Sequence, residues 1–174
     1  MTAMIGKVYG IPPQPPVAEH TRVLPAGAVV LGVEYRVVDP ESLRELYSTN
    51  PDHLDEFEHR SPYGGFYDQG VSIHVSGADD GWEYVRFDVF DDEPHYHYNH
   101  RHDDGTVENQ VVDFDPVAGG DMLPWAIGCL RDRLVEMLEA AGGGRLVDQL
   151  DSSLIGEVLS EVVTTAEYVR ARQP

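Results

Sequence analysis

An α+β fold, with an antiparallel β-meander of about five strands packed against two C-terminal amphipathic helices, is what this 174-residue sequence predicts. Three observations predict it. Four strand-like runs between Gly70 and Asp115 are separated by short turn signals, β-branched residues crowd a further run after Ala28, and from Leu123 onward apolar residues recur at helical spacing. A chain of this length can bury a substantial core without disulfides or metal staples, and one domain is the default.

Residues 1–17 include Pro12-Pro13-Gln14-Pro15-Pro16, which favours extended polyproline backbone and joins neither a helix nor a central strand. They read as a proline-rich N-terminal arm ahead of a single domain over 18–174, lying across that domain or docking on another subunit. From Ala28 to Asp39 the run Val29-Val30-Leu31-Gly32-Val33-Glu34-Tyr35-Arg36-Val37-Val38 predicts a strand, bounded by Gly27 and Pro40. A short helix follows from Pro40 to Ser48, with proline in its first turn, and Thr49 to Gln69 reads as a long loop. Strands are then expected at Val71–Ser76, Trp82–Phe90, His95–His102 and Thr106–Phe114, the last pair joined through Asp104-Gly105. Leu123, Ile127, Leu130, Leu134 and Met137 mark one helix, ended by Gly142-Gly143-Gly144. Leu154 to Val169 marks the other, with Asp151 or Ser152 as its N-cap.

Composition narrows the function classes. With 31 acidic against 12 basic residues the formal net charge is −19, which repels phosphate backbones and anionic lipid, so neither nucleic acid nor a membrane is expected as a partner. The charge suits solubility or an acidic face for a basic protein. Cys129 is the only cysteine, no apolar run reaches bilayer length, and the opening residues lack a signal peptide's apolar core; the expectation is a cytoplasmic chain.

Pairing the strands through their turns locates the chemistry, because residues directly opposite in an antiparallel pair share a face. Loop closure at Gly77–Gly81, Asp91–Pro94 and Asp104-Gly105 puts His74 opposite Tyr84, Asp88 opposite His97 and Asn99 opposite Gln110. One face then carries Val71, Ile73, Val75, Val85, Phe87, Val89, Tyr96, Tyr98 and Val111. The other carries Ser72, His74, Arg86, Asp88, His95, His97, Asn99, Glu108 and Gln110, with Trp82, Tyr84, Phe90, Val112 and Phe114. So many aromatics imply that the polar face is covered and its charges paired or ligating.

On that face His95 and His97, two apart on one strand, with Asp88 across from them, form a ligand set for one divalent ion, zinc, iron(II) or manganese. His74 and Glu108 are the further candidate ligands or tautomer-fixing partners, and Arg86 the candidate for holding an anionic ligand beside the metal. The alternative is surface or interface histidines on a non-catalytic acidic accessory subunit, binding a protein partner or a second copy through the arm and the C-terminal helix. A third reading is a pH-responsive chain, since eight histidines would titrate near neutrality. Neither a nucleophile elbow nor a phosphate-cradling loop occurs, and Lys7 is the only lysine.

The block Arg86-Phe-Asp-Val-Phe-Asp-Asp-Glu-Pro-His-Tyr-His-Tyr98, with Gly120-Asp-Met-Leu-Pro-Trp125 downstream, resembles the signature of a family of uncharacterised bacterial proteins. The resemblance runs from about Gly70 to Leu150 and implies no particular activity. The Pro-His95-Tyr-His97 spacing also resembles the His-x-His of cupin barrels, but the next glutamate comes only at Glu108.

Overall fold

Seven antiparallel strands form one open sheet in the order β1-β7-β6-β5-β4-β3-β2. They are β1 (Lys7–Tyr9), β2 (Arg22–Ala26), β3 (Val29–Val38), β4 (Asp68–Gly77), β5 (Glu83–Phe90), β6 (His95–Arg101) and β7 (Val107–Asp113). This computed structural model describes residues 5–62 and 65–173; the first four residues of the expected arm, two of the expected loop and the last residue lie outside it. The α+β architecture is as expected, but the strands number seven rather than about five. The additions are β2, which hairpins onto β3 through Gly27, and β1, a piece of the arm that pairs with β7 at the far edge.

The apolar face packs on the C-terminal helices. Val71, Ile73, Val75, Val85 and Phe87 are fully buried there, with Leu130, Leu138, Leu146 and Val162 among the residues of the same core cluster. The expected first helix is broken at Arg133 into α4 (Met122–Asp132) and α5 (Leu134–Ala140), preceded by the single turn α3 (Pro116–Gly119). The last helix, residues Ser152–Ala171, is capped by Asp151, whose carboxylate accepts from the Leu154 N–H. Its buried stripe of Ile155, Leu159, Val162 and Ala166 lies against β2, β3 and β4, so the apolar face considered for a partner is covered within the chain.

The other face is covered too, by elements that sequence periodicity describes poorly. Pro40–Tyr47 forms the expected helix α1, with Asp39 as its N-cap. The expected long loop contains a second helix, α2 (Pro51–Arg60), started by the Asn50 side chain, which accepts from the Asp52 and His53 N–H groups. Leu54 and Phe57 are its only large apolar side chains and it has no fully buried residue, which is why no apolar stripe announces it. Between these helices and the sheet runs the arm: Arg36 donates to the Gln14 and Pro15 carbonyls, Arg86 to Gln14, and the Tyr47 hydroxyl to Pro12.

Register differs from expectation at every hairpin, and each difference has a local cause. In β4–β5 the turn is one residue longer than expected, with Ser76 facing Glu83, and a bulge between Val75 and Ser76 makes Tyr84 a further extra residue, so His74 faces Arg86 and Ser72 faces Asp88. Tyr84 turns toward the helices, where Arg145 reaches its hydroxyl. In β5–β6 the Asp68 carboxylate accepts from the Asp92 and Glu93 N–H groups and draws the turn over β4, so His95 rather than His97 faces Asp88. Both differences amount to two residues, which preserves the faces. In β6–β7 the loop has three residues, not two: His102 N–H donates to Thr106 O, and Gly105 adopts φ +85°. That one-residue slip exchanges the faces of β7. Asn109 and Val111 lie on the polar face, whereas Glu108, Gln110 and Val112 lie on the opposite one.

Candidate metal centre

Two lateral rows of the polar face define the site. Glu34, Ser72, Asp88, His95 and Asp113 stand side by side across five strands; Gly32, His74, Arg86, His97, Val111 and Lys7 form the next row. Asp88, His95 and His97 are thus brought together, each buried, with one ligand atom from each inside a 4.8 Å span.

Asp88 Oδ2 lies 3.0 Å from His97 Nε2 and 3.3 Å from His95 Nε2. Around a tetrahedral ion with bonds of about 2.0–2.2 Å the ligand atoms would themselves be about 3.3 Å apart. These separations fit an ion with little movement. The far nitrogens are held as well: His95 Nδ1 donates to the Glu93 carbonyl at 2.6 Å and His97 Nδ1 to Asn109 Oδ1 at 2.7 Å. Both acceptors fix the proton on Nδ1, so in the neutral rings each Nε2 lone pair points at the carboxylate. Ser72 Oγ donates to Asp88 Oδ1, leaving Oδ2 for the common point. Three acceptors converging there require a positive centre, a proton or a metal cation.

The electrostatics agree. Burial works to raise the Asp88 carboxyl, but its contacts with His95 and His97 and the nearby Arg86 charge outweigh it and hold it well below the usual carboxylate range. For His95, burial lowers the pKa and the Asp88 contact more than reverses it, so the net direction is upward. For His97, burial wins over Asp88, helped by the charges of His95 and Arg86, and the net direction is downward. The site therefore keeps an ionised carboxylate, one ring inclined to hold a proton and one inclined to stay neutral.

The remaining sequence candidates go elsewhere. His74 presents Nδ1 to Glu83 at 2.7 Å and Nε2 to Glu34 at 3.1 Å, so both of its nitrogens are engaged in a separate buried cluster. Arg86 completes that cluster, donating through Nε and Nη2 to the two oxygens of Glu83, 2.7 Å each, and to the arm. It reaches Asp88 by charge alone. Glu108, on the opposite face, lies 3.4 Å from the exposed His102. Asn109, Glu83 and Glu34 were not singled out from the sequence. Asn109 was placed on the wrong face by the hairpin slip, and Glu34 meets His74 only because β3 is the neighbour of β4.

One of the three residues, His95, also borders a cavity. A cavity of about 370 Å³ between the sheet, the arm, α1 and α2 is lined at its sheet end by His95 and Asn109. Next to the centre on the same strand, the Asn99 amide is buried with neither Nδ2 nor Oδ1 hydrogen-bonded.

A match to the family described as Domain of unknown function (DUF7700) runs over residues 23–166 and takes in every strand from β3 to β7. The chain belongs to the DUF7700 family. Asp88, His95, His97 and Asn109 lie inside the DUF7700 region, whereas the arm over their face precedes it. No curated protein and no solved structure matches the chain. No helix among the described residues is long and apolar enough to cross a membrane.

Proposed function

We propose that this protein binds a divalent metal ion, zinc, iron(II) or manganese, through Asp88 Oδ2, His95 Nε2 and His97 Nε2. One observation carries the reading: both rings donate Nδ1–H to fixed oxygens, so two imidazole lone pairs and a carboxylate oxygen aim at one point. Histidines that serve only as packing or as surface groups have no need of that arrangement. His74, Glu108 and Arg86 are not ligands in this reading; Arg86 and Ser72 set the charge and orientation of Asp88, and Asn109 sets the tautomer of His97. Two histidines and one carboxylate leave coordination positions for water or an outside oxygen, and such an ion supplies Lewis acidity or a redox centre.

The test is elemental mass spectrometry on tag-free protein purified without chelator, beside a His95→Ala/His97→Ala variant. Near-stoichiometric metal in the parent and none in the variant is the expected result. Protein that takes up none of the three metals after incubation with each would overturn the reading.

A further inference from the structure

The cavity beside His95 has a chemical character of its own. Its walls include the rings of Tyr9, Tyr47, Phe57 and Phe66, supplied by the arm, α1, α2 and the segment before β4. Tyr47 and Phe57 meet at 5.5 Å between centroids, and Phe66 stands edge-on to His95 at 6.4 Å. These pairs are packed on each other, and the aromatic walls they form favour a further ring set against them over an aliphatic chain. At about 370 Å³ the space exceeds by about twofold the roughly 150 Å³ known to admit a benzene, so a substituted single ring fits.

Charge decides the substituent. Lys7 and Arg60 on the lining are balanced by Glu93 and Asp113, and Arg60 is already engaged by the Val8 carbonyl and Glu56 while lying 3.9 Å above the Tyr9 ring. Apart from the ion itself, the lining offers no surplus positive charge to draw a carboxylate out of water, and a carboxylate would have to be desolvated as an anion. A neutral hydroxyl can pass the apolar walls and give up its proton only at the ion, where a cation favours the oxyanion.

We propose that this cavity binds a small aromatic molecule carrying a phenolic hydroxyl, its oxygen directed to the ion at Asp88, His95 and His97; this rests on the metal reading above. On binding, the phenolic O–H bond breaks, an oxygen–metal bond forms and the proton leaves to water.

Zinc-loaded protein freed of unbound zinc is titrated with 4-nitrocatechol, whose absorbance reports deprotonation and ligation. A saturable 1:1 spectral change is expected, with benzoate and cyclohexanol competing at least tenfold more weakly. Phe57→Ala and Phe66→Ala should each weaken the probe at least tenfold with zinc content unchanged; neither residue is fully buried, so both variants should fold. Fully zinc-loaded protein that gives no spectral change would overturn this inference and leave the metal reading standing. Affinity unchanged in both variants would overturn it as well, because the probe would then meet the ion from outside the cavity. Protein that never takes up zinc, iron(II) or manganese removes both proposals together.

Discussion

Replacing Glu83 by glutamine tests whether the buried charge cluster beside Asp88, His95 and His97 stabilises the fold as its geometry implies. Glu83 accepts three hydrogen bonds of 2.7 Å, two from Arg86 and one from His74, with its side chain 15% exposed. Burial alone would raise its pKa; the Arg86 charge and the three bonds reverse this and hold it down at about 2, against an ordinary 4.5. A difference of about 2.5 units, at 1.36 kcal/mol each, is a contribution of about 3 kcal/mol. Because the folded value lies below the unfolded one, the contribution is complete above about pH 4.5, declines as pH falls from there toward 2, and vanishes below. Glu83→Gln is therefore expected to lose about 3 kcal/mol in urea unfolding at pH 7 and to show a flatter loss of stability between pH 4.5 and 2 than the parent. Adding Arg86→Met should recover part of the loss, since much of it is the cost of an uncompensated buried guanidinium. Parallel stability curves for parent and Glu83→Gln across that range would refute the reasoning.

Asn109→Leu leaves all three ligands in place but frees the His97 tautomer, so metal affinity measured by competition with a chelator should fall about 10- to 100-fold; an unchanged affinity would show that the Nδ1 contact is incidental. Asn99→Leu removes two buried, unbonded polar atoms and should raise the thermal midpoint, by about 1–3 kcal/mol in equivalent stability; a lower midpoint would show that the amide is satisfied in solution. Phe87→Ala, at a fully buried position packed on Tyr96 and Trp125, should cost about 3–5 kcal/mol in chemical unfolding, and a loss below 1 kcal/mol would contradict the packing.

Periodicity carried the sequence reading far where one side of an element is apolar and the other polar. β3 to β7 and the last helix fall close to their expected bounds, and His95, His97 and Asp88 lie on one face because the errors in their two hairpins were each an even number of residues. Glu108 shows the other case. A third residue in the loop at Gly105 reversed β7 and exchanged Glu108 for Asn109 beside His97. Neither the bulge at Val75 nor the grip of Asp68 on the following turn has a local sequence signal, since each depends on a neighbouring strand. The cover of the polar face was inferred correctly from its need to be buried, but from the wrong residues. Trp82, Tyr84 and Phe114 belong to the helix side, and the rings above the centre come from the arm, α1, α2 and the segment after it, whose polar composition gave no sign of them.

The placement of β1 beside β7 bears on the order in which the molecule is put together. Tyr9 pairs with Asn109, about 100 residues later in synthesis, an interval of roughly 5–20 s at ordinary elongation rates. β2 pairs with β3 and β4 to β7 pair in turn through short hairpins, with α1 and α2 in the longer connection from β3 to β4, while the first-made strand waits for the last. His97 is made only 12 residues before Asn109, so for about 1–2 s at the end of that interval the histidines and Asp88 can be in register without the arm over them. On the metal reading, that brief period lets an ion reach Asp88 and the histidines before the arm seats, and arrival of β7 both supplies Asn109 to His97 and provides the edge with which β1 pairs.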